Sequence, residues 1–117
     1  MTPRVLIIED DADSREVLQI SLEAEGQPVA VAADGVEGLS LAATLRPDVV
    51  FVDLKMPGLD GFEIARRLRL MFGSGVRLVA LTGFGRQEDL AATAAAGFDG
   101  HLTKPVGADA ILALLAA

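Results

Sequence analysis

The chain has 117 residues, a net charge of −7, 51% hydrophobic residues and no cysteine. That is the size of one ordinary domain, with enough apolar content for a real core, so neither a disordered chain nor a disulfide or thiolate-metal scaffold fits. The acidic balance and the absence of Trp and Tyr argue against direct nucleic-acid binding, and apolar runs no longer than a strand argue against membrane insertion. The start, Met1-Thr2-Pro3-Arg4, lacks a charged-then-apolar leader, so cytoplasmic residence is expected. We read residues 1–117 as a single domain.

Short apolar runs alternate with segments of helical period, which predicts successive β-α units on a parallel sheet. Residues 4–8 read as a strand. Asp13 or Ser14 is placed to cap a helix over about 14–25, with Glu16 completing a capping box. Val17, Leu18, Ser21 and Leu22 form its expected inward stripe, and Gly26 its end. A weaker strand at 28–32 precedes a helix at about 35–44, which stops before Arg46-Pro47 because a residue preceding proline avoids helical geometry. Residues 48–52 are apolar after Asp48, as a strand buried on both faces would be.

Asp60 is placed to cap a helix at about 61–71, with Phe62, Ala65, Leu68 and Phe72 near one face. On the same helix Arg66, Arg67 and Arg69 make the one dense basic cluster, read as a solvated face. Residues 77–81 form a fourth strand. A helix at about 86–96 is rich in alanine (Ala91, Ala92, Ala94, Ala95, Ala96), read as good helix formers packed on the sheet; a docking face is the alternative. A fifth strand at 99–103 and a helix at 108–116 complete the chain. The crossover rule gives an α/β fold, a doubly wound parallel sheet with helices on both faces.

This arrangement brings polar side chains to one edge. Glu9 and Asp10 follow the first strand, Asp53 ends the third, Thr82 the fourth, and Lys104 follows the fifth. Three carboxylates at ~4–6 Å repel one another unless a cation intervenes. Mg²⁺, with its oxygen ligands and its habit of binding phosphate, answers that need. Asp53 is then a nucleophile on phosphorus, forming an acyl phosphate, while Lys104 and Thr82 hold the phosphoryl oxygens. Backbone N–H groups just after Asp53 are available to the same oxygens. Taken singly, each of these residues reads as an ordinary strand-end polar group; jointly they do not.

Four segments carry a resemblance: Val5–Asp11, Pro47–Gly61 with Asp53-Leu54-Lys55-Met56-Pro57, Leu81-Thr82-Gly83, and Leu102-Thr103-Lys104-Pro105. Over residues 4 to about 115 the chain resembles receiver domains of the two-component response-regulator family. The resemblance implies a flavodoxin-like five-stranded sheet of order 2-1-3-4-5, the usual order in that family. It implies Asp53 as phosphoacceptor, Glu9 and Asp10 as acidic metal-site residues, Lys55 as a metal ligand through its backbone carbonyl, and Thr82 with Lys104 as the phosphate-sensing pair. It implies a cis Lys104-Pro105 bond. The partner implied is a histidine kinase or phosphotransfer protein. The expected response is a changed surface around the fourth helix, fifth strand and fifth helix, with a homodimer through that face left open. Such a domain is not an enzyme on external substrates; it catalyses only its own phosphorylation and dephosphorylation.

The chain departs from the family pattern at His101, where receivers often hold Tyr or Phe. A switch role for its ring stands beside a partly exposed strand-end residue. Asp11 is read as a loop residue near the helix start rather than a metal ligand. The Lys55 side chain is expected at the pocket mouth, and Phe84 as a shield over the acyl phosphate within the flexible segment Gly83-Phe84-Gly85. The segments after Leu81 and Gly97 resemble receivers attached to hybrid sensor histidine kinases. Two other functions stand as alternatives. A Mg²⁺-dependent phosphatase of the haloacid dehalogenase kind typically has a second Asp two residues after its nucleophile, where this chain has Lys55. A non-phosphorylated interaction module predicts loss of one of the five polar residues, and all are present.

Overall fold

The computed structural model describes residues 2–56, 58, 60–83 and 90–116. Five strands, β1 (Val5–Ile8), β2 (Val29–Ala32), β3 (Val49–Asp53), β4 (Arg77–Thr82) and β5 (Gly100–Thr103), form one parallel sheet of order β2-β1-β3-β4-β5. The helices are α1 (Ala12–Ala24), α2 (Gly35–Leu45), α3 (Gly61–Phe72), α4 (Leu90–Ala95) and α5 (Ala108–Ala116). The expected fold and strand order are both found. The part of the 86–96 helix before Leu90, and the proposed shield Phe84, lie outside the described residues.

Strand alternation divides the core into two layers. Val5, Ile7, Val49, Phe51, Val79 and Leu81 face Leu18 and Leu22 of α1 and Ile111 of α5. Leu6, Ile8, Val50, Val52, Leu78 and Ala80 face Ala42 of α2, Ile64, Ala65 and Leu68 of α3, and Ala96 just beyond α4. Residues 5–8 and 49–52 are all at most 5% exposed, so these strands are buried on both faces. At α2 the fit is close: a Cβ on Gly38 would lie 2.4 Å from Ile8 Cδ1.

Caps explain the helix boundaries. Asp60 and Asp34 accept from the amides of Glu63 and Glu37 and start α3 and α2. The cap of α1 is Asp11, not Asp13 or Ser14: its carboxylate accepts from Ser14 N at 3.0 Å and from the Ser14 hydroxyl. Those bonds hold its carboxyl below the usual range. Asp11 is thus the residue at the helix start that the sequence suggested, with a defined task there. Gly26 stands just past α1 at φ +83°, as expected of a terminating glycine. Helix α2 stops at Leu45, and Arg46 before Pro47 leaves it through the left-handed region.

Three surface readings need correction. Val17 is 61% exposed, so the inward stripe of α1 rests on Leu18 and Leu22 alone, with Ser21 half-buried. Ala91, Ala92, Ala94 and Ala95 are exposed; α4 and its end turn bury Thr93 and Ala96 instead. Arg69 is not a solvated cation. Its guanidinium donates to Gly97 O (2.9 Å), Gly73 O (2.7 Å), Val76 O (2.6 Å) and Asp99 Oδ2 (2.6 Å). One side chain on α3 thereby ties the turn into β4 to the turn into β5. Arg66 pairs with Glu63, and Arg66 and Arg67 are exposed as expected.

Candidate functional site

The register explains how residues far apart in sequence meet. Ile8 pairs with Val52, Asp53 with Leu81, and Thr82 with Thr103. The backbone ladder runs one step further, through Glu9 N to Ala32 O, Leu54 N to Leu81 O and Lys104 N to Thr82 O. Glu9, Asp53, Thr82 and Lys104 therefore stand together at the carboxyl edge of the sheet. Gly61 keeps α3 close beneath: a Cβ there would lie 2.8 Å from Asp53 O and from Leu54 Cα. The Lys104-Pro105 bond is cis.

Lys104 is the centre of the cluster. Its Nζ donates to Glu9 Oε1 and Oε2 at 2.8 and 3.0 Å and to Asp53 Oδ2 at 2.9 Å. Glu9 and Asp53 are 1% and 5% exposed. The other Asp53 oxygen, Oδ1, accepts from Lys55 N at 3.0 Å. Burial pushes the Glu9 carboxyl up, and adjacent Asp53 adds to this, placing it at about 7 despite Lys104. Burial acts on Asp53 in the same sense, yet the Glu9 carboxyl, the Lys104 ammonium and the Lys55 amide together hold it below the usual range. For Lys104, burial is outweighed by its two acid partners and the ammonium is held above its ordinary value. Of the two acids, Glu9 thus holds a proton more tightly, while Asp53 favours the carboxylate: a charged nucleophile with one oxygen held by an ammonium and the other by a backbone N–H.

Asp10 joins from the exposed side. Oxygens of Glu9, Asp10 and Asp53 all lie within 4.8 Å of one another. An all-oxygen set of two buried acids and one exposed one suits a hard divalent cation that keeps some of its water. The residues present fit the cation expected from the sequence. For Lys55 the structure shows the amide on Asp53 and an exposed side chain.

Thr82 is buried, with its hydroxyl turned to β5 in long contacts to Leu102 O (3.4 Å) and Thr103 Oγ1 (3.5 Å). His101, on β5 opposite Ala80, is exposed, so its ring is out of the core here. A cavity of about 320 Å³ opens beside Glu9 and Lys104, between Ser14 and Val17 of α1 and Pro105 and Val106. A larger hollow, about 700 Å³, sits around Arg69, Arg77 and Asp99 at the opposite edge, away from Glu9 and Asp53. Of the residues now seen at the site, sequence reasoning missed Arg15. Its Nη1 donates to Glu9 O at 2.9 Å and to Asp10 O at 3.3 Å. Its place one helical turn beyond Asp11 was the available signal.

The family model described as the response regulator receiver domain matches residues 5–116. The chain belongs to this family. It is a phosphorylation-activated signalling domain of the two-component kind. It is 40% identical over 117 residues to the response regulator MprA of Mycobacterium sp. (strain KMS), covering all of this chain and 50% of that protein. The chain thus spans about half the length of that relative. Among solved structures it superposes on the chemotaxis response regulator CheY4 of Vibrio cholerae with a TM-score of 0.86 at 30% identity, covering 99% of this chain and 98% of that one. It also matches the receiver domain of the response regulator Ssk1, solved with the histidine phosphotransfer protein Ypd1 of Saccharomyces cerevisiae. There the TM-score is 0.87 at 26% identity, covering 97% of this chain and 86% of that one. No described helix is long and apolar enough to cross a membrane.

Proposed function

We propose that this receiver takes a phosphoryl group from a phosphohistidine onto Asp53. The donor is a histidine kinase or a phosphotransfer protein, the kind of partner seen with the Ssk1 receiver. The observation that carries this reading is the Lys104 ammonium bridging Glu9 and Asp53, one step beyond the strand ends. In the transfer an Asp53 oxygen forms a bond to phosphorus as the phosphorus–nitrogen bond of the donor breaks. Glu9, Asp10, Asp53 and the Lys55 carbonyl would hold Mg²⁺, which neutralises charge on the transferring phosphoryl oxygens.

Lys104 then exchanges a carboxylate partner for a phosphoryl oxygen. The Thr82 hydroxyl has only long contacts to give up on β5, so a phosphoryl oxygen competes for it readily. Both moves pull on the β4 and β5 ends, and the surface of α4, β5 and α5 follows as a shift between two populations. Glycine at position 83 and the exposed His101 ring lie on that route. The domain turns over no external substrate.

The test is mass spectrometry after incubation with acetyl phosphate and Mg²⁺. The parent gains one phosphoryl mass and Asp53→Asn gains none. Equal labelling of the variant would remove Asp53 as the acceptor.

A further inference from the structure

We infer that Arg15 is a positioning residue for the cation site: its guanidinium fixes the backbone that aims Glu9 and Asp10. The inference rests on the reading of Glu9, Asp10 and Asp53 as that site. The three acids are not held alike. Glu9 and Asp53 are buried and gripped by Lys104. Asp10 is exposed, and its side chain makes no hydrogen bond or ion pair among the described residues. Only its backbone can then bring its carboxylate within reach of the other two.

That backbone is the turn from β1 into α1, and two side chains hold it. Asp11 caps the helix from the far side of the turn. Arg15, in the first turn of α1, reaches back to the carbonyls of both Glu9 and Asp10. Two carbonyls on one planar cation set two successive peptide planes, and a Cα–Cβ direction follows the planes that flank it. The guanidinium also brings positive charge to a turn that carries three consecutive acids. Removing Arg15 leaves the ligands in place and frees the peptide planes that orient them, the usual way a supporting contact tunes a cation site.

The experiment is an amide NMR titration of the full chain with MgCl₂ alone, for the parent, Asp10→Asn, Arg15→Met and Arg15→Lys. We expect Arg15→Met to weaken Mg²⁺ binding about tenfold or more. Phosphorylation by acetyl phosphate should then recover to near the parent rate when Mg²⁺ is raised to saturation. Structural damage around Asp53 would not be cured by added Mg²⁺, so a rate that stays low at saturation overturns the inference. So does parental Mg²⁺ affinity in folded Arg15→Met. If Arg15→Met does not fold, Arg15→Lys decides, since it keeps the charge but its ammonium ends one bond short of the Nη1 position from which Arg15 reaches both carbonyls: weakened binding supports the role and parental affinity refutes it. Mg²⁺ binding lost in Asp10→Asn but intact in folded Arg15→Met sinks the Arg15 role alone. A parent that does not bind Mg²⁺ sinks the cation-site reading, and this inference with it.

Discussion

Glu9 gives the site a measurable pH signature. Its folded pKa is raised from 4.5 to about 7 by burial and by the neighbouring Asp53. A carboxyl with a raised folded pKa binds a proton in the folded state that the unfolded chain has already released. Its stabilising effect is therefore full below about pH 4.5 and is lost as pH rises through about 7. Asp53, shifted down, and Lys104, shifted up, change protonation outside this window. The full linkage is ~3 kcal/mol, and between pH 5.5 and pH 8 it amounts to ~2 kcal/mol. With an unfolding entropy of ~0.25 kcal/mol/K for a chain of this length, that is a Tm lower by ~8 °C at pH 8. The assay is thermal unfolding by far-UV circular dichroism in EDTA, at pH 5.5, 7 and 8. Glu9→Gln is the control, since an amide cannot titrate, and the difference in slope between the two proteins isolates this carboxyl. Mg²⁺ should act oppositely, stabilising more at pH 8, because it competes with the Glu9 proton. A parent and a Glu9→Gln variant with the same pH slope would refute the placement of the proton on Glu9.

Three further outcomes are expected. Lys104→Ala should still accept a phosphoryl group, since Asp53 and the acids remain. Beryllofluoride-induced amide shifts at Thr82, His101 and α4 should shrink in it while those near Asp53 persist; distal shifts of parental size would leave Thr82 to carry the response alone. Arg69→Met removes four hydrogen bonds from one charged donor and should cost about 3 kcal/mol in urea unfolding, with phosphorylation of Asp53 retained; a loss under ~0.5 kcal/mol would mean the tie is not structural. Gly61→Ala puts a methyl group 2.8 Å from the Asp53 carbonyl and from Leu54 Cα, both backbone, so it should cost about 2 kcal/mol and slow phosphorylation together; a stable variant with a parental rate would show that α3 moves aside freely.

The order of elements, the parallel sheet and the polar edge were legible because each rests on local pattern. Runs such as Val49–Val52 are apolar at every position only where both faces of a strand are covered, and a polar residue directly after such a run has one place to go. Asp53, Thr82 and Lys104 were found on that ground, and the acid pair with them. Capping was legible in kind but not in position: Asp11 and Asp13 offer the same chemistry two residues apart, and the backbone at Asp11 decided between them. Val17 and Leu18 are both apolar neighbours on one helix; which of them turns inward depends on where α5 lies, which no local window contains. The alanines of α4 failed for the same reason.

Charge was the least legible property. Arg69 looks no different in sequence from Arg66 and Arg67, yet its partners are carbonyls at 73, 76 and 97 and a carboxylate at 99, gathered by the fold. Lys104 meets acids 95 and 51 residues away. The residue types at the edge already said that this chain can hold a cation and a phosphoryl group. Which oxygen faces the ammonium, which faces an amide, and which acid keeps the proton depend on distances of a few ångströms and on exclusion of water. Those quantities exist only once the parallel strands are in register and both faces of the sheet are covered.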